Sequence, residues 1–151
     1  MAKCLPKSVS VCIDIDAKSV DIARENARAN SINNVHFLTD SSVDVLNSYI
    51  DRYNSTFIVM DVEGAERMLL DPETLHLGNV NILVEVHGKE LEEVLTDRFK
   101  ETHNIEVIRQ GAKNPHIWPI DDFNDYDKLI LCCEGRFGGT MSWFYITPKQ
   151  V

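Results

Sequence analysis

Four short apolar runs in this chain end on acidic side chains, and that recurrence constrains the fold more than any other feature. Residues 9–16, 35–40, 56–61 and 80–87 each carry aliphatic, β-branched or aromatic residues and then close on Asp or Glu, the last with His87 beyond. Such runs suit buried strands. A buried strand that ends in a carboxylate delivers it to a sheet edge, and in open α/β sheets ligands bind at the carboxyl ends of the strands. The stretches between the runs have helical spacing. Val20, Ala23 and Ala27 form a small-residue face over 17–30, with Asp16 as N-cap. Val45, Leu46, Tyr49 and Ile50 mark a helix over 42–53, and Leu91, Val94, Leu95 and Phe99 mark an amphipathic one. Strands alternating with helices imply βαβ units, so the expected fold class is a three-layer α/β domain with a mainly parallel sheet.

The stretch 56–66 is central to this pattern. Its apolar half predicts a buried strand with Val59 inside, as Ile13, Ile82 and Val84 should be in theirs. Gly64 permits a tight turn or a close approach of backbone to ligand. Glu63 and Glu66 are expected in the first turn of a helix, where negative charge suits the dipole. Asp61 ends the apolar strand and must be paired or exposed in a cleft. Asp71-Pro72 stops the short helix that follows. Further along, 105–108 reads as a strand, 110–127 as a polar loop containing Trp118 and Phe123, and 142–146 as a final strand. Residues 129–131 fit a strand or a helix equally.

Composition bounds the rest. At 151 residues, 44% hydrophobic and 26% charged, the chain is expected to be a single domain with an ordinary core. A net charge of −9 without a basic stripe argues against nucleic acid as a partner. No apolar run approaches the ~20 residues that span a bilayer, which excludes a membrane-spanning helix. The cysteines, Cys4, Cys12, Cys132 and Cys133, have no metal-site spacing and fit reduced thiols in a cytoplasmic protein.

Asp61-Val62-Glu63-Gly64-Ala65-Glu66 resembles the signature of FkbM-type methyltransferases, and residues 81–87 resemble the next strand of that family. The similarity runs from about residue 9 to about residue 99. It implies a Rossmann-like class I sheet whose last strand joins antiparallel, with S-adenosylmethionine as cofactor and a hydroxyl of a small molecule or sugar as acceptor. Asp14 matches the acid that accepts hydrogen bonds from the cofactor ribose, since two adjacent hydroxyls are two donors for two oxygens. Asp16 is its rival. Asp40, with Ser41, matches the position that contacts the adenine, although Asp40 serves equally as the cap of a helix starting near Ser42. Asp61 is expected at the cofactor as well.

Asp61, Glu63, Glu85 and His87 are expected to share one rim of the sheet. A hydroxyl acceptor needs a general base. His87 is the first candidate because imidazole titrates closest to neutrality, with a loop histidine of no catalytic role as the alternative. Asp61 with Glu63 or Glu85 offers oxygen ligands to a divalent cation, but no ligand spacing demands one and no metal is expected.

The family's first strand and its glycine-rich cofactor loop have no counterpart among the residues before Val9. The sheet is therefore expected to be incomplete at its start, and the chain alone to bind the cofactor weakly or not at all. An unpaired sheet edge would favour pairing between copies. The competing reading is a binding or interaction domain, or a fragment, that keeps the fold without catalysis.

Overall fold

The structure, a computed structural model, describes residues 2–109, 124–132 and 142–149. It divides into two compact units, Met1–Tyr53 and Asn54–Val151.

In the first unit a 3-10 turn, Ala2–Cys4, precedes strand β1 (Ser10–Ile13), helix α1 (Ala17–Ala29), strand β2 (Val35–Leu38) and helix α2 (Val43–Arg52). β1 and β2 pair in parallel, Ser10 opposite Val35 and Ile13 opposite Leu38. Asp16 caps α1: its carboxylate accepts the Lys18 and Ser19 N–H groups and the Ser19 hydroxyl. These bonds, the one from Lys18 foremost, hold the Asp16 carboxyl below its ordinary range. Val20 and Ala27 of the small-residue face are buried. Asn34 ties the amino-terminal turn to β2 by donating to the carbonyls of Ala2, Leu5 and Ser8.

The second unit contains β3 (Thr56–Met60), α3 (Glu66–Leu69), β4 (Val80–Val86), α4 (Lys89–Phe99), β5 (His103–Arg109), α5 (Asp125–Cys132) and β6 (Ser142–Pro148). Its sheet has the order β3-β4-β6-β5. β3 and β4 are parallel, and β6 runs antiparallel to both β4 and β5, so among the described strands of this sheet β6 alone opposes the common direction. Residues 129–131, which fitted either state, lie in α5.

Strand periodicity sorts this sheet into two faces. Met60, Ile82, Val84, Val86, Phe144 and Ile146 lie on the face that is buried, in a core completed by Leu69, Leu70, Leu75, Leu77, Leu95 and Phe99. Phe57, Val59, Leu83, Trp143 and Tyr145 share the other face, where Phe57 meets Tyr145 edge to face at 6.4 Å. Ile82 and Val84 are buried as expected, and Ile13 is half-buried. Val59 corrects the expectation of burial: it is 44% exposed. β3 ends the order of its sheet, and alternation turns Phe57 and Val59 away from the packed side. The loop expected over 110–127, with Trp118 and Phe123, falls outside the described residues up to 123.

Candidate active site

β3 closes on buried Met60, and the chain then makes a tight loop through Asp61, Val62, Glu63, Gly64 and Ala65 into α3. Two successive residues of this loop are left-handed, Glu63 at φ 48° and Gly64 at φ 109°. The loop is held from below by Glu66, which is completely buried. Its Oε1 accepts the Val62 N–H at 3.1 Å and its Oε2 accepts the Gly64 N–H at 2.8 Å. A buried carboxylate is costly without donors, and here the loop backbone supplies them. The expectation that Glu63 and Glu66 both lie in the first turn of a helix holds for Glu66 and is corrected for Glu63. Only Glu66 lies in α3, and it faces inward, while Glu63 belongs to the loop.

α3 has a single turn, and another element secures its end. Arg98 of α4 donates to the carbonyls of Arg67 and Leu70 and pairs with Asp71 at 3.5 Å. Those carbonyls have no partner inside so short a helix.

β3 ends at Met60 opposite Val84, and β4 continues two residues further to Val86 along the same edge. His87 follows the last residue of β4, and Gly88, at φ 87°, turns the chain into α4. His87 Nε2 lies 3.8 Å from Asp61 Oδ1 and 3.8 Å from Glu63 Oε2. One ligand atom from each of the three lies within 4.8 Å of the others. Asp61 and Glu63 are exposed, whereas Nε2 is shielded from solvent and lacks a hydrogen-bond partner among the described residues. Glu85 is outside this triangle. It is 3% exposed, within β4 opposite Trp143. Three of the four residues expected at the rim therefore meet.

Asp14, Asp40 and Ser41 belong to the first unit. Asp14 and Asp40 are exposed beyond the carboxyl ends of the adjacent strands β1 and β2. Asp14 Oδ1 accepts the Asp16 N–H at 2.8 Å, and Asp40 Oδ1 accepts the Ser42 N–H at 2.8 Å at the entry to α2. The Ser42 bonds hold the Asp40 carboxyl below its ordinary range. Ser42 is the N-cap residue of α2 but makes no side-chain capping bond itself.

The other described histidines serve packing or lie apart. His36 meets Tyr49, its Nδ1 3.3 Å from the phenol oxygen. His103 is buried against Phe99, between the Thr102 hydroxyl and the Leu77 carbonyl. His76 is exposed, and His116 falls outside the described residues. Sequence reasoning missed the roles of Glu66, Arg98 and Glu92, the last of which receives Arg109 and the Ser142 hydroxyl. The signal for Glu66 was present: an acid two residues beyond a turn glycine can reach back to the turn's N–H groups. A polar cleft lined by Gly78, Asn79, Asn104 and Lys149 lies at the opposite end of β4 and contains none of the candidate groups.

No family model matches the sequence, and no curated protein matches it. Solved structures do resemble it. A protein from Clostridium thermocellum named as an rRNA-methylase aligns with a TM-score of 0.51 at 12% identity, over 94% of this chain and 73% of its own. A protein from Streptococcus mutans named as a methyltransferase, solved in complex with SAH, aligns with a TM-score of 0.45 at 13% identity, over 93% and 76%. A precorrin 8w decarboxylase from Methanobacterium thermoautotrophicum aligns with a TM-score of 0.49 at 12% identity, over 92% and 69%. The first of these establishes the fold, which is α/β and Rossmann-like.

Proposed function

We propose that this protein is an S-adenosylmethionine-dependent methyltransferase of the FkbM type, acting on a hydroxyl of a small molecule or sugar. One observation carries the reading: the sheet order β3-β4-β6-β5, in which β6 is inserted antiparallel between two strands that share a direction. This is the arrangement expected of a class I methyltransferase sheet. The fold neighbour named as an rRNA-methylase and the hexapeptide 61–66 support it further.

The residues present suit the cofactor. Asp14 is exposed at a strand's carboxyl end, and a carboxylate has lone pairs beyond the one given to the Asp16 N–H. Adjacent ribose hydroxyls are donors for them. Asp40 and Ser41 would meet the adenine, and Asp61 would face both cofactor and acceptor. S-adenosylmethionine, when bound, supplies an electrophilic methyl on a sulfonium. The protein's own task is to hold the acceptor oxygen in line and to remove its proton. His87 is the base, and the Asp61 and Glu63 carboxylates, each 3.8 Å from Nε2, compensate the imidazolium it becomes. A net charge of −9 opposes nucleic acid as the acceptor. β3, with one strand neighbour among the described residues, is the edge through which two copies would pair.

The test is transfer of labelled methyl from S-adenosylmethionine to a panel of hydroxylated small molecules and sugars. Label in an acceptor, lost in His87→Ala, is the expected result. Binding of S-adenosylhomocysteine with no transfer to any acceptor would instead favour the non-catalytic binding domain.

A further inference from the structure

We infer that Asp61, Glu63 and His87 form a site for one divalent cation of the first transition series, with Mn2+ as the representative ion. The sequence alone offered carboxylates to a cation but no spacing that demanded one. The fold adds what the spacing lacked, an imidazole nitrogen set between two carboxylates from another segment of chain.

Three features of the triangle support a cation rather than a plain ion pair. First, the two His87 separations are those of ligands around a shared centre. Nε2 stands 3.8 Å from each carboxylate oxygen, and all three atoms lie within 4.8 Å of one another. An imidazolium gripping a carboxylate closes to roughly 2.7–2.9 Å. Donors each at about 2.0–2.3 Å from an ion stand about 3–4 Å apart. Second, Nε2 is shielded from solvent and makes no hydrogen bond among the described residues. A buried polar atom left this way is costly, and a bound cation satisfies it. Third, the ligand set is mounted on held backbone: Glu66 fixes the loop that carries Asp61 and Glu63, and His87 extends the central strand β4.

The donor set selects the ion. Carboxylates suit Mg2+ and Mn2+, imidazole suits the transition metals, and one nitrogen with two oxygens is a mixed set that favours Mn2+ or Fe2+ over Mg2+ or Ca2+. Three protein ligands leave positions open for water or a substrate oxygen. Cation binding does not rest on the methyl-transfer reading. If both hold, a coordinated acceptor hydroxyl is acidified by the cation, and His87 acts as ligand in place of base.

The test is titration of the full 151-residue chain with Mn2+, following loss of the free-ion electron paramagnetic resonance signal. One Mn2+ per chain with a dissociation constant below about 100 μM is expected, with competition by Zn2+ and little by Mg2+ at equal concentration. His87→Ala and Asp61→Asn should each weaken binding at least tenfold while circular dichroism stays unchanged. His36→Ala, which removes an exposed histidine of the other unit, should bind as wild type. Absence of saturable binding below millimolar Mn2+ would overturn the inference. So would equal affinity in wild type and folded Asp61→Asn, because that exposed carboxylate can be replaced by its isostere without disturbing the core.

Discussion

The Glu66 carboxylate accepts the Gly64 N–H at 2.8 Å, and that bond fixes the loop on which Asp61 and Glu63 are carried. The same side chain accepts the Val62 N–H, so one buried acid spans the turn.

Replacing Glu66 by Gln should therefore damage both stability and site. Gln keeps one acceptor oxygen but points an NH2 at a second N–H donor. Hydrogen bonds to charged groups contribute ~1.5–3 kcal/mol, so a loss on that order is expected in denaturant unfolding. Turnover should fall as well, although Glu66 itself faces the loop backbone. An unchanged unfolding midpoint would mean that the loop holds itself.

Gly64→Ala isolates the backbone contribution. Nothing lies within 4 Å of the added Cβ, so no clash is expected. The φ of 109° is nevertheless one that Ala rarely adopts, and the strain should cost ~1–3 kcal/mol. A stability equal to wild type would show that the loop relaxes to another conformation at no cost.

His103 gives the fold a pH dependence whose sign can be worked out. Burial pushes its pKa below the ordinary value, against a smaller opposite effect of the Leu77 carbonyl. The unfolded chain then takes up the proton more readily than the folded one. Its contribution is complete above about pH 6.5 and is lost as pH falls from there towards the folded pKa. Denaturant unfolding at pH 7.5 and 5.5 should show lower stability at the acid value. His103→Phe should flatten that difference, while costing ~1–3 kcal/mol at pH 7.5 through the lost Thr102 and Leu77 bonds.

Glu92 acts lower on the pH scale. The bidentate bond from Arg109, with help from the Ser142 hydroxyl, holds its pKa below 4.5. Its stabilisation is present above about pH 4.5 and disappears as pH drops through the folded pKa. Glu92→Gln should remove that part of the acid sensitivity: its thermal midpoint should lie below wild type around pH 6, where the ionised carboxylate stabilises the fold, and converge with wild type towards acid pH.

Much of the fold was legible because period and caps are local. Asp16 sits before α1 as its spacing requires, and the strands at 80–86 and 142–148 follow directly from their apolar runs. Val59 was misread because apolar composition does not say whether a strand is central or at the end of its sheet. Glu66 was placed in the first turn of α3, where it lies, but its burial was not legible, because its partners are backbone N–H groups presented only once Glu63 and Gly64 turn left-handed. The triangle of Asp61, Glu63 and His87 followed from the rule that neighbouring parallel strands end at one edge. Glu85 departs from it because its place inside β4 commits it to the sheet opposite Trp143. Asp14 and Asp40 lie in one unit, and the acid–histidine triangle in the other.

That division should appear in kinetics. His87→Ala is expected to lower turnover by ~10²–10⁴-fold while leaving cofactor affinity nearly intact. Asp14→Ala should do the reverse, weakening the cofactor first. Full turnover in His87→Ala would assign the proton to another group or to none.

The most direct measurement is calorimetric titration of the 151-residue chain with S-adenosylhomocysteine, for wild type and Asp14→Ala. In the proposed reading Asp14 and Asp40 hold the adenosine end, so the predicted result is weak but saturable one-to-one binding, with a dissociation constant between about 10 μM and 1 mM, that is lost in Asp14→Ala. No saturable heat at millimolar ligand, or equal binding in the Asp14→Ala variant, would contradict the proposal that this chain holds the cofactor through Asp14.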